Sequence, residues 1–183
     1  MQAIISEESI ERANVLFWGQ MLAMEMERIP WTADDEGAHR CIGKEHLVGR
    51  CGLSGQWNGS IEVRLSGNLA RAATAAMLML PAETVDPADM LDAVREITNM
   101  IAGAVKSALP RPCLMTIPEA RIEDDDFCVI PRTPDTMNVF LRHDAGEMLV
   151  QVREKLQNSE AMSAGYALET QKSPGATQGS SSP

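Results

Sequence analysis

Asp92, Glu96 and Asn99 stand in the stretch DAVREITNMIAG, residues 92–103. A carboxylate holds a cation or takes a proton. A carboxamide accepts through its oxygen and donates through its nitrogen, and it does so without titrating. With 100° per residue and Asp92 as zero, Glu96 lies at about +40° and Asn99 at about −20°, so the three share one narrow face of a helix. Ile97, Ile101, Val105 and Ala108 lie between about 140° and 220°, and Met90 and Val94 join them. That apolar stripe packs on a core, and the acid–acid–amide face points directly away from it. Gly103 falls near the outer face and leaves the surface beside Asn99 shallow, so a partner's backbone can come close there. Two readings fit this pattern. The face is an ordinary solvated one, since exposed helix faces are usually polar. Or it is aimed at another molecule. Asn and Gly are poor residues in mid-helix, each costing up to about 1 kcal/mol against Ala, and nothing in the core explains that cost.

The elements around this stretch are legible from pattern. In VDPAD, Asp86 is a fitting N-cap, Pro87 takes the first helical position and Asp89 the third. That helix runs to Leu109 and stops at Pro110, roughly 35 Å. Upstream, residues 7–28 read as a helix with Ile10, Ala13, Phe17, Met21 and Met24 on one face, Ser6 as N-cap and Pro30 closing it. Residues 32–45 read as a loop. HLVGRCGLSG sets Leu47, Gly49, Cys51 and Leu53 on one strand face, GQWNGS is a turn, and SIEVRLS alternates with Ile61, Val63 and Leu65 inward and Glu62 and Arg64 outward. This is a hairpin with one wet face. In SGNLARAATAAMLML, Ser66 is a candidate N-cap and Leu69, Ala73, Ala76 and Leu80 form a narrow stripe suited to close helix packing. LPRPCLMTIPEARIEDDDF reads as a surface connection whose acidic run, Glu123 to Asp126, is solvated. TMNVFLR and EMLVQVR form a second hairpin around the turn His143–Gly146. From about Asn158 the composition cannot bury anything, which predicts a domain over residues 1–157 and a disordered tail over 158–183. Helix, hairpin, helix, long helix, hairpin is the order of an α+β layer fold, an antiparallel sheet with packed helices.

Bulk properties narrow the function. The chain has 183 residues and a formal net charge of −10. Nucleic acid and anionic membrane both repel such a chain, so neither is an expected partner. No apolar run approaches the ~20 residues of a membrane span. The first residues lack the basic start and apolar stretch of a signal peptide, which places the protein in the cytoplasm. Aromatic residues make up only 4%, so the core rests on aliphatic side chains and on many of the 12 Met. Cys41, Cys51, Cys113 and Cys128 form no C-x-x-C pair and read as small buried hydrophobes. His39, Cys41, His46 and Cys51 could in principle ligate a metal. Their spacing matches no common zinc pattern, and strand alternation sends His46 to the face opposite His39 and Cys41. No metal site is expected.

Asp92-x-x-x-Glu96-x-x-Asn99 resembles the D/S-x3-E-x2-N signature of the CheC/CheX/FliY chemotaxis phosphatases. REITNMIAGAVKSAL is similar to the family's catalytic helix, including the Gly past the Asn. The Gly-containing hairpin and Ala-rich helix before it, and the closing hairpin after it, fit as well, over roughly residues 5–155. A second E-x-x-N occurs at Glu11 and Asn14. It lies at the border of an apolar stripe with Glu at position 7, and it reads as coincidence. One signature makes the chain CheX-like. The resemblance implies a phosphatase acting on the aspartyl phosphate of a CheY-like response regulator. Glu96 and Asn99 would be catalytic, and Asp92 and Gly103 partner-binding. The chain would have no cofactor of its own, Mg²⁺ being supplied by the partner. The resemblance also implies a homodimer through sheet edges. The alternative is a non-catalytic CheX-like module that grips a receiver domain or another signalling partner with the same helix.

Overall fold

Both predicted hairpins form, and they supply the middle of one antiparallel sheet. The structure, a computed structural model, describes residues 5–30, 40–125, 127–129 and 135–155, with the backbone alone at 40, 41 and 127–129. The predicted tail, His39, Asp126 and most of the 32–45 loop lie outside the described residues. In chain order the elements are α1 (Glu7–Leu22), β1 (Glu27–Ile29), β2 (Arg40–Ile42), β3 (Glu45–Gly55), β4 (Gly59–Ser66), α2 (Gly67–Leu78), α3 (Pro87–Ser107), β5 (Cys113–Met115), β6 (Glu119–Asp124), β7 (Phe127–Val129), β8 (Thr136–His143) and β9 (Gly146–Glu154). The main sheet runs β1-β8-β9-β4-β3-β5, with β6 also paired to β3, and β2 and β7 make a separate two-stranded sheet. This is the expected α+β fold. None of its helices is long and apolar enough to cross a membrane.

One face of the sheet carries the helices. Leu47, Cys51 and Leu53 of β3 and Ile61, Val63 and Leu65 of β4 are buried there against Leu69 and Ala73 of α2 and Val94, Ile97 and Ile101 of α3. Gly49 falls in the same inward set. A Cβ at Gly49 would collide with the Thr98 hydroxyl, so α3 lies this close to β3 only because residue 49 has no side chain. The Thr98 hydroxyl is itself satisfied by donating to the Val94 carbonyl at 2.7 Å.

Several expectations change. The first helix stops at Leu22, where Ala23 turns into the left-handed region at φ 53°. The chain then enters β1 beside β8, and Arg28 reaches back to Glu7 and Glu11 of α1 at 2.8 and 2.7 Å. The buried stripe of α1 is Ile10, Asn14, Trp18 and Leu22, rotated from the expected one, and Met21 is exposed. In α2 the stripe is Leu69, Ala70, Ala73 and Thr74. The helix ends at Leu78, so Ala76 and Leu80 are exposed. Ser66 stands at the N-cap position, but its hydroxyl accepts from the Glu147 amide of β9 at 3.1 Å. α3 ends at Ser107, which leaves Ala108 exposed and Leu109 buried behind it.

Two larger corrections concern the other face and the edge. The connection after α3 is no mere loop. Its β5 and β6 lie end to end along β3, pairing with Leu53–Gly55 and Glu45–Arg50. Nor is the face away from the helices uniformly wet. Ile42 of β2 packs there on Phe140 and Leu149, and Arg64 is buried. Its guanidinium donates to Glu62 and to Glu123, the latter at 2.6 Å. Pairing with β6 thus brings Glu123, expected to be solvated, against Arg64.

Candidate functional site

The signature residues ride on a helix that is capped at its start and packed along its length. Asp86 accepts from the Asp89 amide at 2.9 Å, Asp89 returns the bond to the Asp86 amide, and Pro87 pre-sets the first turn. Met90, Ala93, Val94, Ile97, Thr98, Ile101, Ala102 and Val105 are buried, so the helix cannot roll on the sheet. Its opposite face then carries Asp92 and Glu96 exposed, with Asn99 and Gly103 half-exposed. The helical wheel read from the sequence is the face the structure presents. No side chain among the described residues engages Glu96 or Asn99. A Cβ added at Gly103 would meet nothing, so the surface beside Asn99 is open.

Asp92 differs from the other two. Its carboxylate accepts from the Arg95 guanidinium, one turn on. Arg95 lies within the signature but was not among the expected site residues. The Asp–Arg spacing of three is the signal for it, since such residues are neighbours on a helix.

The site is convex. Two clefts of a size to take a small ligand, about 610 Å³ beside residues 23–27 and 142–144 and about 540 Å³ beside residues 50–60 and 153–155, include no α3 residue. A carboxylate and a carboxamide on one outer helix face do not enclose a small molecule. They suit a partner that brings the pocket.

The second E-x-x-N behaves as expected of a coincidence. Asn14 is fully buried and its amide donates to the Ile10 carbonyl at 2.8 Å, while Glu11 is held by Arg28. Of the weighed metal set, Cys51 points toward the helices, where burial pushes its thiol up and its Sγ donates to the Thr116 carbonyl at 3.3 Å. His46, one strand position off that face, meets Glu123 at 3.1 Å and Asp125 at 3.7 Å. These three could surround a cation, but the Arg64 guanidinium already stands 2.9 Å from His46 and 2.6 Å from Glu123. The cluster is an internally neutralised ion network. Burial works against the Glu123 carboxylate, but hydrogen bonds from Arg64 and Arg121 outweigh it and lower its pKa to about 2. Cys113 is buried like Cys51, and Cys41 and Cys128 are register partners between β2 and β7.

The family model described as chemotaxis phosphatase CheX matches residues 47–127, from β3 through α3 to the start of β7. No curated protein sequence matches the chain. Solved structures do match in fold. A chemotaxis protein CheX from Desulfovibrio desulfuricans is 20% identical with a TM-score of 0.61, over 81% of this chain and 97% of that one. CheX from Vibrio vulnificus is 16% identical with a TM-score of 0.63, over 85% and 100%. The CheX–CheY–BeF3–Mg complex of Borrelia burgdorferi gives 18% and 0.59, over 84% and 99%. Family model and shared fold agree with the resemblance read from Asp92, Glu96 and Asn99: over residues 47–127 the chain is similar to chemotaxis phosphatase CheX, and its fold is that of the solved CheX proteins.

Proposed function

We propose that this chain dephosphorylates the aspartyl phosphate of a CheY-like response regulator. The observation that carries the proposal is the pair Glu96 and Asn99, unengaged, on the outer face of a helix that capping and packing hold rigid. Support comes from the CheX model and from a neighbour of the same fold solved together with CheY, BeF3 and Mg.

An acyl phosphate already hydrolyses slowly with the Mg²⁺ of its own receiver. The catalyst therefore needs no nucleophile and no cofactor. It needs to hold a water in line with the phosphorus, since phosphoryl transfer depends mostly on positioning and electrostatics. The water attacks phosphorus, the bond from phosphorus to the aspartyl oxygen breaks, and the carboxylate and inorganic phosphate leave. Asn99 accepts from that water through Oδ1 and donates through Nδ2 at any working pH. Glu96 pairs with the receiver's active-site lysine and fixes the register of the helix over the phosphoryl group. Gly103 lets the receiver's backbone come close, and Asp92 belongs to the same partner-facing strip. The setting is the cytoplasm, and the protein works as a homodimer through sheet edges.

The test is the decay of a phosphorylated receiver domain from the same organism, with this protein, with Asn99→Ala and with neither. Acceleration that is lost in the variant, with the fold intact by circular dichroism, is the expected result. No acceleration across the organism's receivers would leave the chain a non-catalytic binding module. An unfolded variant would make Asn99 structural.

A further inference from the structure

The outer strip of α3 is electrically lopsided. On the wheel that places Asp92 at zero, Arg95 lies at about −60° and Lys106 at about −40°, Asn99 and Gly103 lie near the middle, and Glu96 lies at about +40°. One edge of the strip is cationic and the other anionic, with Asp92 and the carboxamide between them. Arg95 stands one turn before Asn99, and its guanidinium is turned back onto Asp92. The two side chains are 44% and 78% exposed. An exposed pair of this kind adds too little to folding to explain it as a device of stability. Its effect is geometric. It holds a flexible cation against the helix beside the residue that faces the phosphoryl group.

We infer that Arg95 is a docking and orienting residue for the receiver, and that Asp92 acts by positioning it. This rests on the phosphatase reading. The anionic side of a receiver's site is its aspartyl phosphate together with the carboxylates that hold Mg²⁺, and its cationic side is a lysine. A chain of net charge −10 meets that anionic side with repulsion unless it presents a local cation. Arg95, with Lys106 continuing the same edge, is that cation. Glu96 on the other edge takes the lysine. The two edges read the polarity of the partner's site and admit one orientation of the receiver, the one that places Asn99 over phosphorus.

The test is binding of a receiver domain from the same organism, loaded with beryllofluoride and Mg²⁺, to the full chain and to Arg95→Ala, Asp92→Asn, the double variant and Arg153→Ala. Arg153 is an exposed arginine of β9 on the face away from the helices, so its removal changes net charge by the same amount elsewhere. Expected are a loss of about tenfold in affinity for Arg95→Ala, a shallower dependence on salt, no further loss when Asp92→Asn is added, and little change for Arg153→Ala. Equal affinity of Arg95→Ala and the parent overturns the inference while the phosphatase reading stands. Equal loss in Arg153→Ala overturns it in favour of bulk charge. Additive losses from Arg95 and Asp92 overturn the positioning role. Failure of the parent to bind any receiver overturns both readings.

Discussion

The choice of Asn at position 99 explains more than its hydrogen bonds do, because in this structure it makes none with another side chain. A mid-helix Asn that caps nothing is a liability of some tenths of a kcal/mol. Asn99→Ala should therefore fold at least as well as the parent while losing about a hundredfold in rate, a loss of the size seen when a positioned polar group is removed from a reacting centre. Glu96→Ala should weaken receiver binding and rate together. Gly103 sharpens the same logic. No atom lies within 4 Å of the place its Cβ would occupy. Gly103→Ala should raise stability by up to about 1 kcal/mol, the helical gain of Ala over Gly. Gly103→Met should be as stable as Gly103→Ala yet raise the KM for phosphorylated receiver, because the longer side chain stands where the partner's backbone must come. Melting curves and initial rates on the two variants check this. Parallel changes in stability and KM would remove Gly103 from the docking surface.

Among elements, local signals were readable and long-range ones were not. The capping of α3 is written in VDPAD, and its inward and outward faces follow from periodicity, which is why the outward placement of Glu96 and Asn99 is legible in the sequence. β5 and β6 gave no such signal. CLM and EARIED are short, and EARIED is charged, so neither alternates cleanly; they are strands because β3 offers an open edge beside them. Arg64 misled for the same reason. In SIEVRLS it alternates outward, and only pairing with β6 and the cover of Ile42 bury it. Once buried, it must have its carboxylates. Glu123→Gln should cost about 2 kcal/mol at neutral pH, since the buried guanidinium then loses a charged partner. The pH dependence has a definite sign. The pKa of Glu123 is lowered from 4.5 to about 2. Its contribution is therefore complete above about pH 4.5 and fades as pH falls toward 2. The gap in Tm between parent and Glu123→Gln should close over that window. A gap that stays constant would mean that Glu123 titrates like a solvated acid.

At the scale of the molecule, the sheet separates two tasks. Its helix side holds the helix whose outer face carries Glu96 and Asn99, and its far side holds an ion network that neither faces nor touches that outer strip. Among the described residues, the sheet edges pair with no further strand. β1 closes one side with three residues, and β5 and β6 form the other, where Leu114, Ile117 and Ile122 are 68%, 88% and 43% exposed. An exposed edge with apolar side chains is a template for another strand. A twofold pairing of β6 with its own copy, centred on Ile122, would set each Arg121 opposite a Glu123 of the other chain, so the strand is complementary to itself in that register. The protein should sediment as a dimer, and Ile122→Lys, which places two ammonium groups on the axis, as a monomer. Because the strip of Glu96 and Asn99 points away from the sheet, that monomer should still accelerate phosphoryl decay per folded chain. Sedimentation velocity and the decay assay on the same preparations decide it. A parent that is monomeric across a wide range of concentration removes the dimer. A monomeric variant without activity would mean that one ridge is incomplete and that the second copy completes the site.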